Sequence, residues 1–285
     1  MKSIKICVAA ITAGVVCIAA MLGILSAAIY AENESGNSFI GLMYHQVLKD
    51  ESRAGKYIIT PNELESDLAY LSENGYVSVL PSQLVKIREQ GGRLPEKTVI
   101  ITFDDGYETG LYYVLPLLKK YGMKAVINVV GSYTDEYSRI NEEGKHLSYA
   151  YLTWNEIKTL SDSGYVEIGN HTCDMHSNNG DRNGCARKEN ESDEQYRTVL
   201  YEDVDRLSDK LQQVTGKRPV AFAYPFGSLS EGSAEIIGSA GISVFMTCCE
   251  QPCSMNRNGR IVINRYNRES GRTAQQICEE FNNAF

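Results

Sequence analysis

Four short segments of this sequence carry side chains whose type and spacing suit hydrolytic chemistry. In Val99-Ile100-Ile101-Thr102-Phe103-Asp104-Asp105-Gly106-Tyr107 an apolar run ends in two adjacent carboxylates and a glycine. Neighbouring side chains of a regular strand point to opposite faces. Both carboxylates therefore reach one pocket only if the backbone turns at once, which Gly106 permits. The same triplet also serves as an ordinary turn or helix cap. The second segment, Gly169-Asn170-His171-Thr172-Cys173-Asp174-Met175-His176, holds two of the chain's 4 histidines. Two imidazoles and one carboxylate are the protein ligands of an open zinc site, with a position left for water; the same donors suit Co, Ni or Fe. The third, Phe222-Ala223-Tyr224-Pro225-Phe226-Gly227, offers aromatics for a sugar site or a strand end closing in a turn. The fourth, Met43-Tyr44-His45-Gln46, has a single His, by default a satisfied core residue. His146 has no motif partner and reads as loop or surface.

These segments follow candidate strands. Apolar runs at 39–44, 98–103, 125–130, 166–169, 220–224, 242–246 and 261–263 are short and nearly continuous, as strands buried on both faces are. Helical patterns alternate with them. Thr60-Pro61-Asn62-Glu63 and Thr153-Trp154-Asn155-Glu156 read as capping boxes. Gly75, Gly122, Gly164 and Gly241 stand where helices give way to strands, the usual place for a left-handed terminator. Alternation of this kind implies a parallel sheet, open or closed into a barrel, with active-site residues at the carboxyl ends of the strands. The longest loop candidate spans 174–193, rich in Asn, Gly, Ser and charge.

Of the 285 residues, 28 are basic and 36 acidic, a net charge of −8 that argues against a nucleic-acid partner. The distribution is uneven. Residues 1–30 contain no acid and only Lys2 and Lys5, so the remainder carries 26 basic against 36 acidic, net −10. From Ile6 to Ala31 there is no charge, long enough for the roughly 20 apolar residues a membrane-crossing helix needs. The basic flank favours a cytoplasmic N-terminus and an exported remainder. An uncleaved anchor over residues 1–31 is expected ahead of a cleaved signal peptide, since Ile29-Tyr30-Ala31 is a poor cleavage site. Residues 32–37 are a short polar linker, and 38–285 are expected to form one exported α/β domain. Outside the first segment stand six cysteines: Cys173, Cys185, Cys248, Cys249, Cys253 and Cys278. Export permits disulfides; a Cys173–Cys185 bridge would close the long loop. Cys248, Cys249 and Cys253 lack the His or second pair of a thiolate metal site.

Taken in order, Thr102–Tyr107, His171–His176 and Tyr224–Gly227 resemble the motifs of the polysaccharide deacetylases of carbohydrate esterase family 4, the NodB-homology domain. The His spacing and the Tyr-His of the first strand look most like its poly-N-acetylglucosamine deacetylases. The resemblance covers roughly residue 39 to the C-terminus. It implies a distorted (β/α)7 barrel, with Asp105, His171 and His176 holding a divalent metal, most simply zinc, and Asp104 as general base. It also implies that the backbone N–H of Tyr224 holds the oxyanion, with Pro225 and Phe226 lining the substrate site. Two departures stand out. No His follows His176 to act as general acid, which moves that role to His45 at the first strand, as in the biofilm-type members. Where many members have an Arg against the catalytic carboxylate, this chain has Ala223, and Arg265 is the candidate replacement.

The function implied is metal-dependent N-deacetylation of an extracellular N-acetylhexosamine polysaccharide by a monomer. A non-catalytic carbohydrate-binding domain on the same fold and an O-acetyl esterase are the alternatives. A glycosidase fits less well, because its two carboxylates must flank the scissile bond. Poly-N-acetylglucosamine, peptidoglycan, chitin fragments and acetylated xylan all remain open as substrates.

Overall fold

The computed structural model describes residues 38–140, 146–178, 180, 182–255 and 259–283. The expected anchor and linker, residues 1–37, lie outside the described residues. No helix among the described residues is long and apolar enough to cross a membrane.

The architecture is a nearly closed ring of parallel strands. In chain order these are β1 (Ser38–Tyr44), β2 (Thr98–Phe103), β3 (Ala125–Val129), β4 (Val166–Asn170), β5 (Ala221–Ala223), β6 (Val244–Met246), β7 (Ile261–Ile263) and β8 (Tyr266–Asn267). Each pairs with the next from β1 to β7, all in parallel. The ring returns on itself through a broken strand. β7 pairs with β6, the chain steps aside at Asn264-Arg265, and β8 then pairs with β1. Gly41 of β1 makes room for that step. A Cβ there would sit 2.3 Å from the Asn264 carbonyl oxygen.

The strand period divides the buried side chains into two layers. Val99, Ile101 and Phe103 join Ile40, Leu42, Ala125 and Ile127 in an outer core beneath the helices. Their alternates Phe39, Ile100, Val126, Ala221, Ala223, Val244, Met246, Ile261 and Ile263 form an inner core, with Leu84 and Leu94 packed against it. The outer helices include α1 (Pro61–Glu73), α2 (Pro81–Glu89), α3 (Leu115–Tyr121), α4 (Gly131–Tyr137), α5 (Trp154–Asp162), α6 (Asp193–Thr215), α7 (Ser233–Ser239) and α8 (Ala274–Asn283). Both predicted capping boxes form, Thr60 with Glu63 and Thr153 with Glu156. The four joint glycines all take positive φ, from 64° to 93°.

Two features go beyond what the sequence specified. Helix α6, 23 residues long, was not foreseen, although Ser192 and Gln195 make a capping box for it and Gly216 ends it in the left-handed conformation. Cys173 and Cys185 are both free thiols, so no bridge closes the long loop. Cys185 is instead wholly buried with Tyr196 and Phe222 in a third core against α6 and α7.

Candidate active site

The inner face of the ring turns polar at its carboxyl end. Counting up each strand in steps of two, Ile100 and Thr102 lead to Asp104, Val126 to Asn128, Phe39 and Met43 to His45, and Ile261 and Ile263 to Arg265. The period that builds the apolar core below thus delivers these side chains to one end of it. Asp105 has the wrong parity and is redirected by its backbone. Its φ of 69° is left-handed, as is that of Gly106 at 71°, so the turn expected of the glycine begins one residue earlier.

Asp104 is 3% exposed and held on one oxygen. Its Oδ1 accepts from Arg265 Nη1 and from Asn128 Nδ2, each at 2.7 Å. Arg265 is fully buried and also donates to Thr102 Oγ1 at 3.1 Å and, through Nε, to the Thr247 carbonyl at 2.9 Å. Burial would raise the Asp104 pKa, but the Arg265 guanidinium, with His171 and His45, holds it well below the usual carboxylate range.

Asp105, His171 and His176 offer one donor atom each within 4.8 Å of one another. His171 Nε2 and His176 Nε2 lie 3.6 and 3.1 Å from Asp105 Oδ1. The other ring nitrogens are occupied. His171 Nδ1 meets the Ala223 carbonyl at 2.8 Å, which fixes its proton there and leaves Nε2 as a lone-pair donor. His176 Nδ1 pairs with the Tyr133 hydroxyl at 3.2 Å. Oxygen and two imidazole nitrogens around a common point, each imidazole oriented from behind, fit a divalent metal of the zinc type.

Both clusters open into one cavity of about 570 Å³, which His45, Tyr57, Tyr107, Tyr224 and Phe226 also line. His45 stacks obliquely on Tyr57 with ring centroids 4.7 Å apart. Burial pushes its pKa down, against the pull of Asp104 and Asp105. Phe226, φ 58°, is 48% exposed and lies with its ring 4.7 Å from that of His176. Pro225 is buried behind it.

The family model for polysaccharide deacetylase matches residues 91–245, more than half of the chain. The chain belongs to the polysaccharide deacetylase family. This is a family of hydrolases acting on N-acetyl amide bonds. The poly-beta-1,6-N-acetyl-D-glucosamine N-deacetylase of Escherichia coli K12 is 27% identical over 231 residues. These cover 74% of this chain but only 34% of that protein, so the chain spans about a third of its length. The enzyme of the same name from Staphylococcus aureus MRSA252 is 23% identical, with 78% of this chain and 76% of the relative covered. Among solved structures, a de-N-acetylase from Aggregatibacter actinomycetemcomitans superposes with a TM-score of 0.73 at 25% identity, covering 85% of this chain and 99% of that one. IcaB from Ammonifex degensii gives 0.68 at 26% identity, covering 86% and 97%.

For this deacetylase-family chain, the sequence singled out most of the residues that meet in the cavity. Arg265 reaches Asp104, as expected of a replacement for Ala223. The Tyr224 N–H does not stand free for an oxyanion. It donates to the Met246 carbonyl at 3.2 Å, because the β5–β6 ladder runs one residue past β5 before Pro225 ends it. Asn128 was missed, although it is the only polar side chain in Ala125-Val126-Ile127-Asn128-Val129 and so carried a signal. The aromatic wall of Tyr133, Tyr137 and Tyr151 beside His176 carried none, since the α4 pair Tyr133 and Tyr137 meets Tyr151 from a separate segment. Cys248, Glu250 and Asn267 also line the cavity unforeseen. His146 is exposed, as expected of a surface residue.

Proposed function

We propose that the chain hydrolyses N-acetyl groups of an N-acetylhexosamine polysaccharide, with poly-β-1,6-N-acetyl-D-glucosamine as its substrate class. The observation that carries this reading is the ionised, one-sidedly bonded Asp104 beside the Asp105–His171–His176 donor set in a single cavity. Asp105, His171 and His176 would hold a divalent metal, most simply zinc, with donors that also suit Co, Ni or Fe. Such an ion, when bound, acts as a Lewis acid toward an amide oxygen and lowers the pKa of water.

The chain's own groups do the rest. Arg265 and Asn128 fix the rotation of the Asp104 carboxylate through Oδ1 and leave Oδ2 to take the proton of the attacking water. The hydroxide equivalent adds to the acetyl carbonyl carbon, and the C–N bond then breaks. His45 donates a proton to the departing nitrogen, so that acetate and a free amine leave. Phe226 and Tyr57, the latter 50% exposed, offer rings on which sugar faces can rest. In the same proposal residues 1–31 anchor the chain, and the catalytic domain 38–285 works outside the cytoplasm as a monomer.

The test is acetate release by the zinc-loaded protein from poly-N-acetylglucosamine, chitin oligomers, peptidoglycan and acetylated xylan. Release from the first, abolished by chelation and restored by zinc, is the expected result. Glycan binding indifferent to chelator, with no acetate from any polymer, would overturn the enzyme reading in favour of a carbohydrate-binding domain.

A further inference from the structure

Both proposed imidazole ligands sit on one loop, and that loop is held in an unusual way. After β4, Thr172 takes φ 75°, a left-handed conformation that a β-branched residue adopts only when its surroundings impose it. The Thr172 hydroxyl is buried and has no hydrogen-bond partner, so it does not supply the restraint. Three consecutive backbone N–H groups do. Thr172 N donates to Asn170 Oδ1 at 2.8 Å, Cys173 N to Asp203 Oδ1 at 2.7 Å and Asp174 N to Asp203 Oδ2 at 2.8 Å. The carbonyls of Thr172 and Cys173 accept from Gly131 N and Ser132 N at 3.0 and 2.7 Å, the first turn of α4.

Asp203 therefore spans two adjacent peptide groups with its two oxygens, from a helix that contributes nothing to the cavity. It is 6% exposed, and Arg206 on the next turn lies 3.5 Å from Oδ2. Asn170 is tied to the same stretch of α6, donating to the Val204 carbonyl at 2.9 Å and to Ser208 Oγ at 3.0 Å. The residues between Thr172 and His176 set where the second imidazole stands relative to the first. We propose that Asp203 is a positioning residue for the metal site. It fixes the left-handed turn between His171 and His176, and thereby the separation of their donor nitrogens. This rests on the metal-site reading above and extends it to α6. Asn reproduces only one of its two accepted bonds and none of its charge, because its amide nitrogen would face a backbone N–H.

The measurement is divalent-metal affinity of the metal-free protein by competition with a chromogenic chelator, together with the visible spectrum of the Co2+ form. Asp203→Asn is expected to bind zinc on the order of 10–100-fold more weakly, the usual effect of losing an outer partner of a ligand. Its Co2+ bands are expected to shift. Leu200→Ala, a fully buried apolar truncation on the same helix, is expected to lower the melting temperature while keeping wild-type affinity and spectrum. Ser208→Ala, which removes one acceptor of Asn170, is expected to weaken zinc measurably but less than Asp203→Asn, on the same mechanism at one remove, and stands in should Asp203→Asn not fold. Wild-type affinity and spectrum in folded Asp203→Asn overturn the proposal, as does equal loss in Leu200→Ala. Should Asp203→Asn not fold, wild-type affinity in Ser208→Ala overturns it. Failure of the wild-type protein to bind metal at all overturns the metal-site reading instead.

Discussion

Asp104 and Asp105 are neighbours in sequence and opposites in environment. Asp104 answers to a guanidinium and an amide, Asp105 to two imidazoles. Replacing Asp104 with Asn keeps the size and both Oδ1 contacts but removes the proton acceptor. Acetate release should fall by about 10²–10⁴, while bound metal, read by atomic absorption, and melting temperature stay near wild type. Retained turnover would show that the base lies elsewhere. Arg265→Met tests the same carboxylate from behind. It leaves a buried charge without its partner, a cost of about 3–5 kcal/mol, visible as a lower denaturant midpoint. It also lets the Asp104 pKa rise toward its ordinary value, so the acid limb of the pH–rate profile should move to higher pH. For His45 the sign is opposite. An acid must carry its proton, and burial favours the neutral ring. Turnover should therefore decline on the alkaline side, with an inflection below the ordinary histidine value. His45→Ala should lose both most of the turnover and that inflection while binding metal normally. An unchanged alkaline limb in that variant would assign it to another group.

The strands were legible in sequence because a parallel sheet covered on both faces leaves near-continuous apolar runs, and each of the seven runs became a strand of the ring. What the runs did not disclose is how the ring comes round. The closing strand is broken, and its second piece, Tyr266-Asn267, is too short to carry a pattern of its own. The break is what puts Arg265 under Asp104, so a functional contact came out of an irregularity. Helix α6 escaped notice for a different reason. Its buried positions, among them Tyr196, Leu200, Val204, Leu207 and Leu211, are spread through a highly charged segment that reads as solvated surface. Asp203 belongs to that segment, and nothing local distinguishes it from its exposed acidic neighbours. The site was legible where motif residues lie consecutively and hidden where they converge from distant elements. At this scale Gly41→Ala is the sharpest test of the closure. A methyl group 2.3 Å from the Asn264 carbonyl and 3.2 Å from Arg265 Cγ forces the broken strand outward. Stability should drop by about 1–3 kcal/mol in urea melts, and kcat should fall with it because Arg265 moves from Asp104. A variant that loses stability yet keeps full kcat would mean that the closing strand does not govern the base.

For the molecule as a whole the uneven charge is the organising fact. The first 30 residues carry only positive charge, and the rest is net −10. Every described strand of the ring lies between Ser38 and Asn267, and β1 enters it at Ser38 fully supplied with partners: β2 along its length, β8 at its end and the two-residue strand Cys253–Ser254 at its start. Among the described residues the ring thus closes from Ser38 onward. A protein starting at Ser38 should stay in the soluble fraction, melt cooperatively and release acetate from short N-acetylglucosamine oligomers as fast as the full chain, because the cavity residues from Met43 to Asn267 all lie within it. The full chain should sediment with membranes and resist extraction by high salt, which strips electrostatically bound proteins but not an inserted helix. On a surface-bound polymer the two should part company, the full chain being held beside its substrate and the truncated one having to find it by diffusion. If the full chain remains in the soluble fraction, the anchor is wrong. If instead the truncated protein fails to fold, residues 1–37 belong to the domain and the boundary at 38 is misplaced.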